Sequence, residues 1–230
     1  MQTLALIPAR KGSKRIPDKN IKIFDGIPII GYSIKAALEW RFTEVMVYTD
    51  SYKYSKIAKE FGAKVPFRRE KVSDDHTLFE TVQEVLLEYK LKQQREFDYI
   101  CLIYATAPFI NAELIEAGYN LLLWGNHDCV FPIAKAPYPY QRLLYIENNK
   151  VKYVFPAFRN KDSNDWIDTY TIAGSFFWLS VPRLKHNKTL IPDNSGYIII
   201  NPWEAAEIDT YEDWEYAEIK YKMIQEMGYK

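Results

Sequence analysis

The sequence predicts an α/β fold in which a mostly parallel sheet carries helices on both faces and a β-arm is inserted late in the chain. Three observations lead there. Short apolar, β-branched runs alternate with longer stretches whose apolar residues recur every three or four positions, the pattern of βαβ units. The 230 residues can bury a full core, and α/β folds of that length are commonly one domain. From Pro137 to Tyr170 the texture shifts to Tyr, Pro, Asn and Lys, which reads as an insertion. The expected organisation is one domain over 1–230 with an arm at about 138–170.

The first strand is read at 4–7. A helix follows over 29–40, with Pro28 in its first turn and Ile30, Ile34, Ala37 and Leu38 on one face. Next come a strand at 45–49, a helix at 55–61 and a strand at 64–67. Helices at 77–91 (Phe79, Val82, Val85, Leu86, Tyr89) and 111–124 (Leu114, Ile115, Ala117, Leu121, Leu122) repeat the amphipathic spacing. Buried strands fall at 99–103 and 129–133. The arm offers strand-like pieces at 142–146 and 152–155 around Glu147-Asn148-Asn149-Lys150. Apolar strands return at 175–179 and 197–200. A helix over 211–227 ends the pattern, with Thr210 as N-cap and Asp213 completing a capping box.

Thirty Lys+Arg balance thirty Asp+Glu, so no global basic field exists to attract nucleic acid, and any anion site must be local. Cys101 and Cys129 lie inside expected strands and read as reduced core thiols. The apolar start at 1–7 is too short for a signal peptide, and eighteen consecutive apolar residues occur nowhere. A cytoplasmic protein that engages no membrane is expected. His76, His127 and His186 lack zinc-ligand spacing.

The strongest local signal is the loop after the first strand, Ile7-Pro8-Ala9-Arg10-Lys11-Gly12-Ser13-Lys14-Arg15-Ile16-Pro17-Asp18-Lys19-Asn20. With Lys22 it concentrates six of the thirty basic residues. Ligands of parallel α/β sheets bind beyond the carboxyl ends of the strands, which is where this loop sits. A triphosphate needs cations, backbone N–H groups and hydroxyls once its water is displaced, and Gly12 and Ser13 add the last two. The loop is neither a Walker motif nor a dinucleotide fingerprint, so composition alone stops at phosphate binding.

Ile7-Pro8-Ala9-Arg10, Ser13-Lys14 and Lys19-Asn20 resemble the signature of the acylneuraminate cytidylyltransferases, which make CMP-activated sialic-type sugars. The likeness continues at Tyr48-Thr49-Asp50, Val65-Pro66-Phe67 with Arg69, Ser73-Asp74-Asp75-His76-Thr77 and Glu207-Ile208-Asp209-Thr210. Tyr104-Ala105-Thr106-Ala107-Pro108-Phe109 is similar to the pseudaminic acid branch rather than to the sialic acid enzymes. The resemblance implies a Rossmann-like, three-layer nucleotidyltransferase fold of the nucleotide-diphospho-sugar transferase type. It also implies transfer of CMP from CTP to an acidic nine-carbon sugar by attack of the anomeric hydroxyl on the α-phosphate.

The same resemblance assigns roles. Arg10 and Lys19 would hold phosphates and stabilise charge on the leaving pyrophosphate. Lys11, Ser13, Lys14 and Asn20 would contact substrate, Ala9 would leave room for the base, and Arg69 would serve the cytidine side. Thr106 and His76 join the substrate set, with His76 read equally as a helix-entry residue. Asp209 would bind Mg²⁺ with Glu207, two residues earlier, as partner. Relatives often carry Asp at the Glu207 position, and without the resemblance Asp209 reads as a helix-terminus acid. Pseudaminic relatives commonly read Y-H-D-A-G where this chain has Tyr170-Thr171-Ile172-Ala173-Gly174, a departure expected near the acceptor sugar. Relatives dimerise through the arm, so a homodimer is expected. The competing readings are an enzyme for sialic acid, legionaminic acid or 3-deoxy-octulosonate, and a nucleotide-binding homologue with reduced catalysis.

Overall fold

A computed structural model describes residues 1–69, 76–162 and 166–228. Strand β1 (Thr3–Pro8) is an interior strand of the sheet, and Leu4, Ala5, Leu6 and Ile7 are fully buried because helices cover both faces. A two-residue hairpin, β2 (Ile23–Phe24) and β3 (Ile27–Pro28), turns through Asp25 and Gly26, both at positive φ. Helix α1 (Ile30–Glu39) follows, then β4 (Glu44–Tyr48) and α2 (Tyr52–Glu60), capped by the Ser51 side chain. Helix α3 (Leu78–Gln93) starts on a capping box between Thr77 and Glu80. Then come β5 (Tyr99–Ile103), α4 (Ala112–Trp124) with Asn111 as N-cap, and β6 (Cys129–Lys135).

The arm is a hairpin of β7 (Leu144–Glu147) and β8 (Lys150–Tyr153), turning through Asn148 and Asn149 in left-handed backbone. The chain returns as β9 (Tyr170–Ile172), β10 (Phe176–Ser180), the short α5 (Val181–Leu184), β11 (Ser195–Ile200) and α6 (Tyr211–Met227). The sheet order is β11-β6-β10-β5-β1-β4, with β9 beside β6. Pairing is parallel at β4/β1, β1/β5 and β6/β11, and antiparallel where β10 lies between β5 and β6. Strands β4, β1, β5, β6 and β11 therefore run one way, and β10 and β9 the other. On one face α1, α2 and α4 pack Ile34, Tyr54, Ile115 and Tyr119 against the sheet; on the other α3 presents Val82, Val85 and Tyr89. A third cluster joins α6 (Trp214, Ala217) to the loop through Ile16 and Phe24.

Three expectations are corrected. The run 64–67 is not a strand: only Lys64 bridges Met46, and Pro66 has no N–H to extend the pairing. Pro28 lies in β3, ahead of the helix rather than in its first turn. Leu38 is 46% exposed, and Ala36 takes the buried position instead.

Candidate active site

The C-terminal ends of β1, β4 and β5 open into a cavity of about 530 Å³, within the range of small-molecule sites. Pro8, Tyr48, and Tyr104 to Thr106 form its floor, and the basic loop forms one wall. Arg10, Lys14, Arg15 and Lys19 all line it, as do Ser13 and Asn20. Local contacts explain why the loop turns its charges inward. The Ala9 N–H donates to the Tyr48 carbonyl at 2.9 Å, prolonging the β1/β4 ladder past the strand end. Asp50 Oδ1 accepts from the Lys11 N–H at 2.7 Å. Asn20 is buried, and its side-chain amide donates across the loop to the Arg10 carbonyl at 3.0 Å. Asp18, in left-handed backbone, accepts from Tyr54 Oη and Lys53 Nζ, both at 2.9 Å, which ties the loop to α2.

The segment before α6 forms the facing wall. Glu207 and Asp209 line the cavity, and Asp209 pairs with Arg15 at 2.8 Å and Lys19 at 3.1 Å; Lys19 also donates to the Ile208 carbonyl. Burial pushes the Asp209 carboxyl up, but the Lys19 hydrogen bond and charge, with Arg15, outweigh it and hold it below the usual carboxylate value. Tyr104 is pushed up to about 12, first by burial and then by the negative charges of Glu207 and Asp209, so both acids act on the same space. Among the described residues no group of three His, Cys, Asp or Glu side chains gathers as a metal cage. A pair of carboxylates still suits Mg²⁺, which in nucleotide sites takes one or two of them and fills its shell with phosphate oxygens and water. Gly174 also lines the cavity at φ +65°, and a Cβ there would meet the Ala206 carbonyl oxygen at 2.4 Å. Only glycine lets β9 and the acid-bearing segment approach so closely.

The third wall carries Arg69, His76, Leu78 and Thr81. Neighbouring Arg68 turns away, its guanidinium 3.4 Å from the centre of the Tyr52 ring.

Ten of the sequence-derived site residues thus share one cavity: Arg10, Ser13, Lys14, Lys19, Asn20, Arg69, His76, Thr106, Glu207 and Asp209. Ala9 and Lys11 are not among its lining residues; Ala9 is wholly buried and Lys11 is exposed. Thr171 and Ile172 lie on β9 beside β6, outside the cavity. Ser73, Asp74 and Asp75 fall outside the described residues. Sequence reasoning passed over Tyr48, Tyr104, Thr81 and Gly174 as site residues, and left Arg15 within the basic run without a role. For Arg15 the signal was present in that run; Thr81 follows from its place one turn into α3.

A mostly parallel sheet whose strand ends meet a cation-rich cleft, faced by paired acids, defines a nucleotidyltransferase type of site. Two solved structures share the fold: a CMP:2-keto-3-deoxy-manno-octonic acid synthetase complexed with CTP (17% identity, TM-score 0.69, covering 98% of this chain and 100% of that one) and 4-diphosphocytidyl-2C-methyl-D-erythritol synthase from Anaerococcus prevotii (13%, TM-score 0.61, 96% of each). Residues 4–161 match the cytidylyltransferase family, and the chain belongs to it. It is similar to the pseudaminic acid cytidylyltransferase of Campylobacter jejuni, at 34% identity over the whole of both chains. It is also similar to the CMP-N,N'-diacetyllegionaminic acid synthase of Legionella pneumophila, at 30% identity over 98% of this chain and 99% of that one.

Proposed function

We propose that the protein transfers CMP from CTP to the anomeric hydroxyl of a nonulosonic acid, with pseudaminic acid as the first candidate, and releases pyrophosphate. The observation that carries this reading is the gathering of Arg10, Lys14, Arg15 and Lys19 in one cavity opposite Glu207 and Asp209. Full-length likeness to a pseudaminic acid enzyme supports the choice of sugar.

Phosphoryl and nucleotidyl transfer ask little covalent work of a protein; alignment and charge neutralisation dominate. Arg10 and Lys19 hold the phosphate tail and neutralise charge growing on the leaving pyrophosphate. Ser13 and Asn20 fix the nucleotide against the loop, and Arg69 with His76 receives the cytidine side. Thr106 lies on the floor between the walls. Glu207 and Asp209 are the residues that would hold Mg²⁺, which when bound would offset phosphate charge and acidify the attacking hydroxyl.

The exposed hairpin suggests a homodimer built on the arm, since Leu144, Ile146 and Val151 are 53%, 78% and 65% exposed. Cytoplasm fits two buried, unpaired cysteines, and no helix of the described residues is long and apolar enough to cross a membrane. A second reading, another nonulosonic acid such as legionaminic acid, is favoured by the likeness to the Legionella enzyme.

A pyrophosphate-release assay with CTP and Mg²⁺ against pseudaminic, legionaminic, sialic and 3-deoxy-octulosonic acids tests the reading. Fastest release with pseudaminic acid is expected. Preference for another acid moves the assignment to that sugar, and CTP binding with no release for any sugar identifies a non-catalytic homologue.

A further inference from the structure

Behind the wall that carries Arg69 and His76 lies a carboxylate that does not itself line the cavity. Glu84, in the second turn of α3, places Oε2 at 3.3 Å from His76 Nε2 and 3.7 Å from Arg69 Nε. Tyr48, at the end of β4, feels the same acid: burial and then Glu84 raise the pKa of its hydroxyl. One acid thus gathers side chains from three parts of the chain.

Arg69 is the telling partner. Its side chain is 7% exposed, yet Nε and Nη2 have no hydrogen-bond partner among the described residues; His76 Nε2 and Glu84 Oε2 have none either, so the acid meets both side chains at ion-pair distance without a hydrogen bond. A buried guanidinium with idle donors is costly, so a group that faces a cavity in this state is built to receive an acceptor from a ligand. The charge of that acceptor follows from the neighbours. On the loop wall four cations, Arg10, Lys14, Arg15 and Lys19, exceed the two acids opposite, which suits phosphate. On this wall the single charge of Arg69 is answered by Glu84, which suits an uncharged acceptor such as a pyrimidine carbonyl.

We propose that Glu84 is a positioning residue: it fixes Arg69 and His76 from behind and balances Arg69, so that this wall reads the nucleobase rather than a phosphate. The inference rests on the CTP reading above and assigns to Glu84 a role in base selection.

The test measures binding of CTP, UTP and inorganic tripolyphosphate to the full chain and to its Glu84→Ala and Glu84→Gln variants, with thermal melting as the check on folding. Glu84 is 34% exposed on a helix, a site where Ala is well tolerated. Glu84→Ala is expected to weaken CTP about tenfold and to erode the preference for CTP over UTP by a similar factor, as for removal of the charge that answers a buried guanidinium. Tripolyphosphate affinity is expected to stay within about twofold, because its contacts lie on the other wall. Glu84→Gln keeps an acceptor without the charge and is expected to fall between, and it decides the matter if the alanine variant fails to fold. Unchanged CTP affinity and selectivity in a folded variant would overturn the proposal, as would an equal loss for CTP and tripolyphosphate. A wild-type chain that binds tripolyphosphate but shows no preference for CTP overturns the CTP reading itself, and the role of Glu84 with it.

Discussion

Arg68 and Arg69 are adjacent in sequence and opposite in environment: one stacks on Tyr52 at the surface, the other is almost wholly buried at the cavity wall. Only Arg69 of the pair lines the cavity. The Arg-Arg doublet alone gives no means of choosing, whereas the family pattern selects Arg69, the residue that lines the cavity. The loop cations were more legible, because density of charge directly after a buried strand is itself a signal. Even there, Lys11 and Lys22 diverge from the rest: neither lines the cavity, and Lys22 lies 4.8 Å from the Trp214 ring centre. Arg10 is the residue on which transfer should depend most. Arg10→Ala is expected to lower turnover by roughly 10²-fold or more, the scale for removing a preorganised charge partner. Steady-state pyrophosphate release measures this, and wild-type turnover in a folded variant would contradict the role.

At the scale of elements, α6 shows how a cap can serve a site. Asp213 Oδ2 accepts from the N–H groups of both Asp209 and Thr210, at 3.0 and 2.8 Å, while the Thr210 hydroxyl accepts from the Asp213 N–H at 3.2 Å. Helix start and cavity acid are thereby held by one set of bonds. Thr210→Ala is expected to cost about 1 kcal/mol of stability, a fall in Tm of about 2–4 °C for a chain of this size. It should also reduce turnover through a less fixed Asp209, so paired melting and activity measurements are required; a lower Tm with unaltered turnover would confine the cap to stability. The α6 boundaries and both its capping residues were readable from local chemistry. The Asp25-Gly26 pair between β2 and β3 is an equally local turn signal that the expected order of elements left out. At 64–67 the apolar residues earn burial by packing, with Phe67 8% exposed against Tyr48 and Tyr89, so period and composition pointed to a strand that the backbone does not form.

For the whole molecule, the parallel strands and the helices on both faces followed from alternation along the sequence. The antiparallel insertion of β10 did not, because a five-residue apolar run carries no sign of its direction. Its placement brings the segment after β9 back to the cavity, where Gly174 meets Ala206 and the acids beyond it. The arm projects from this frame as a two-stranded sheet of its own, a form with little independent stability in water. Light scattering is expected to report a dimer for the full chain and a monomer for a chain lacking residues 139–166. A dimer that survives the deletion would remove the arm from the interface.

The Arg15–Asp209–Lys19 contact bears on which anions can enter at all. Within the cleft Asp209 answers part of the positive charge, so an incoming anion must compete with a resident carboxylate for the same two donors. A lone weak anion gains little from such an exchange. A chain of linked phosphates can engage several donors at once and prevail, so the internal pairing acts as a threshold that favours polyanions over the simple salts of the surrounding solution.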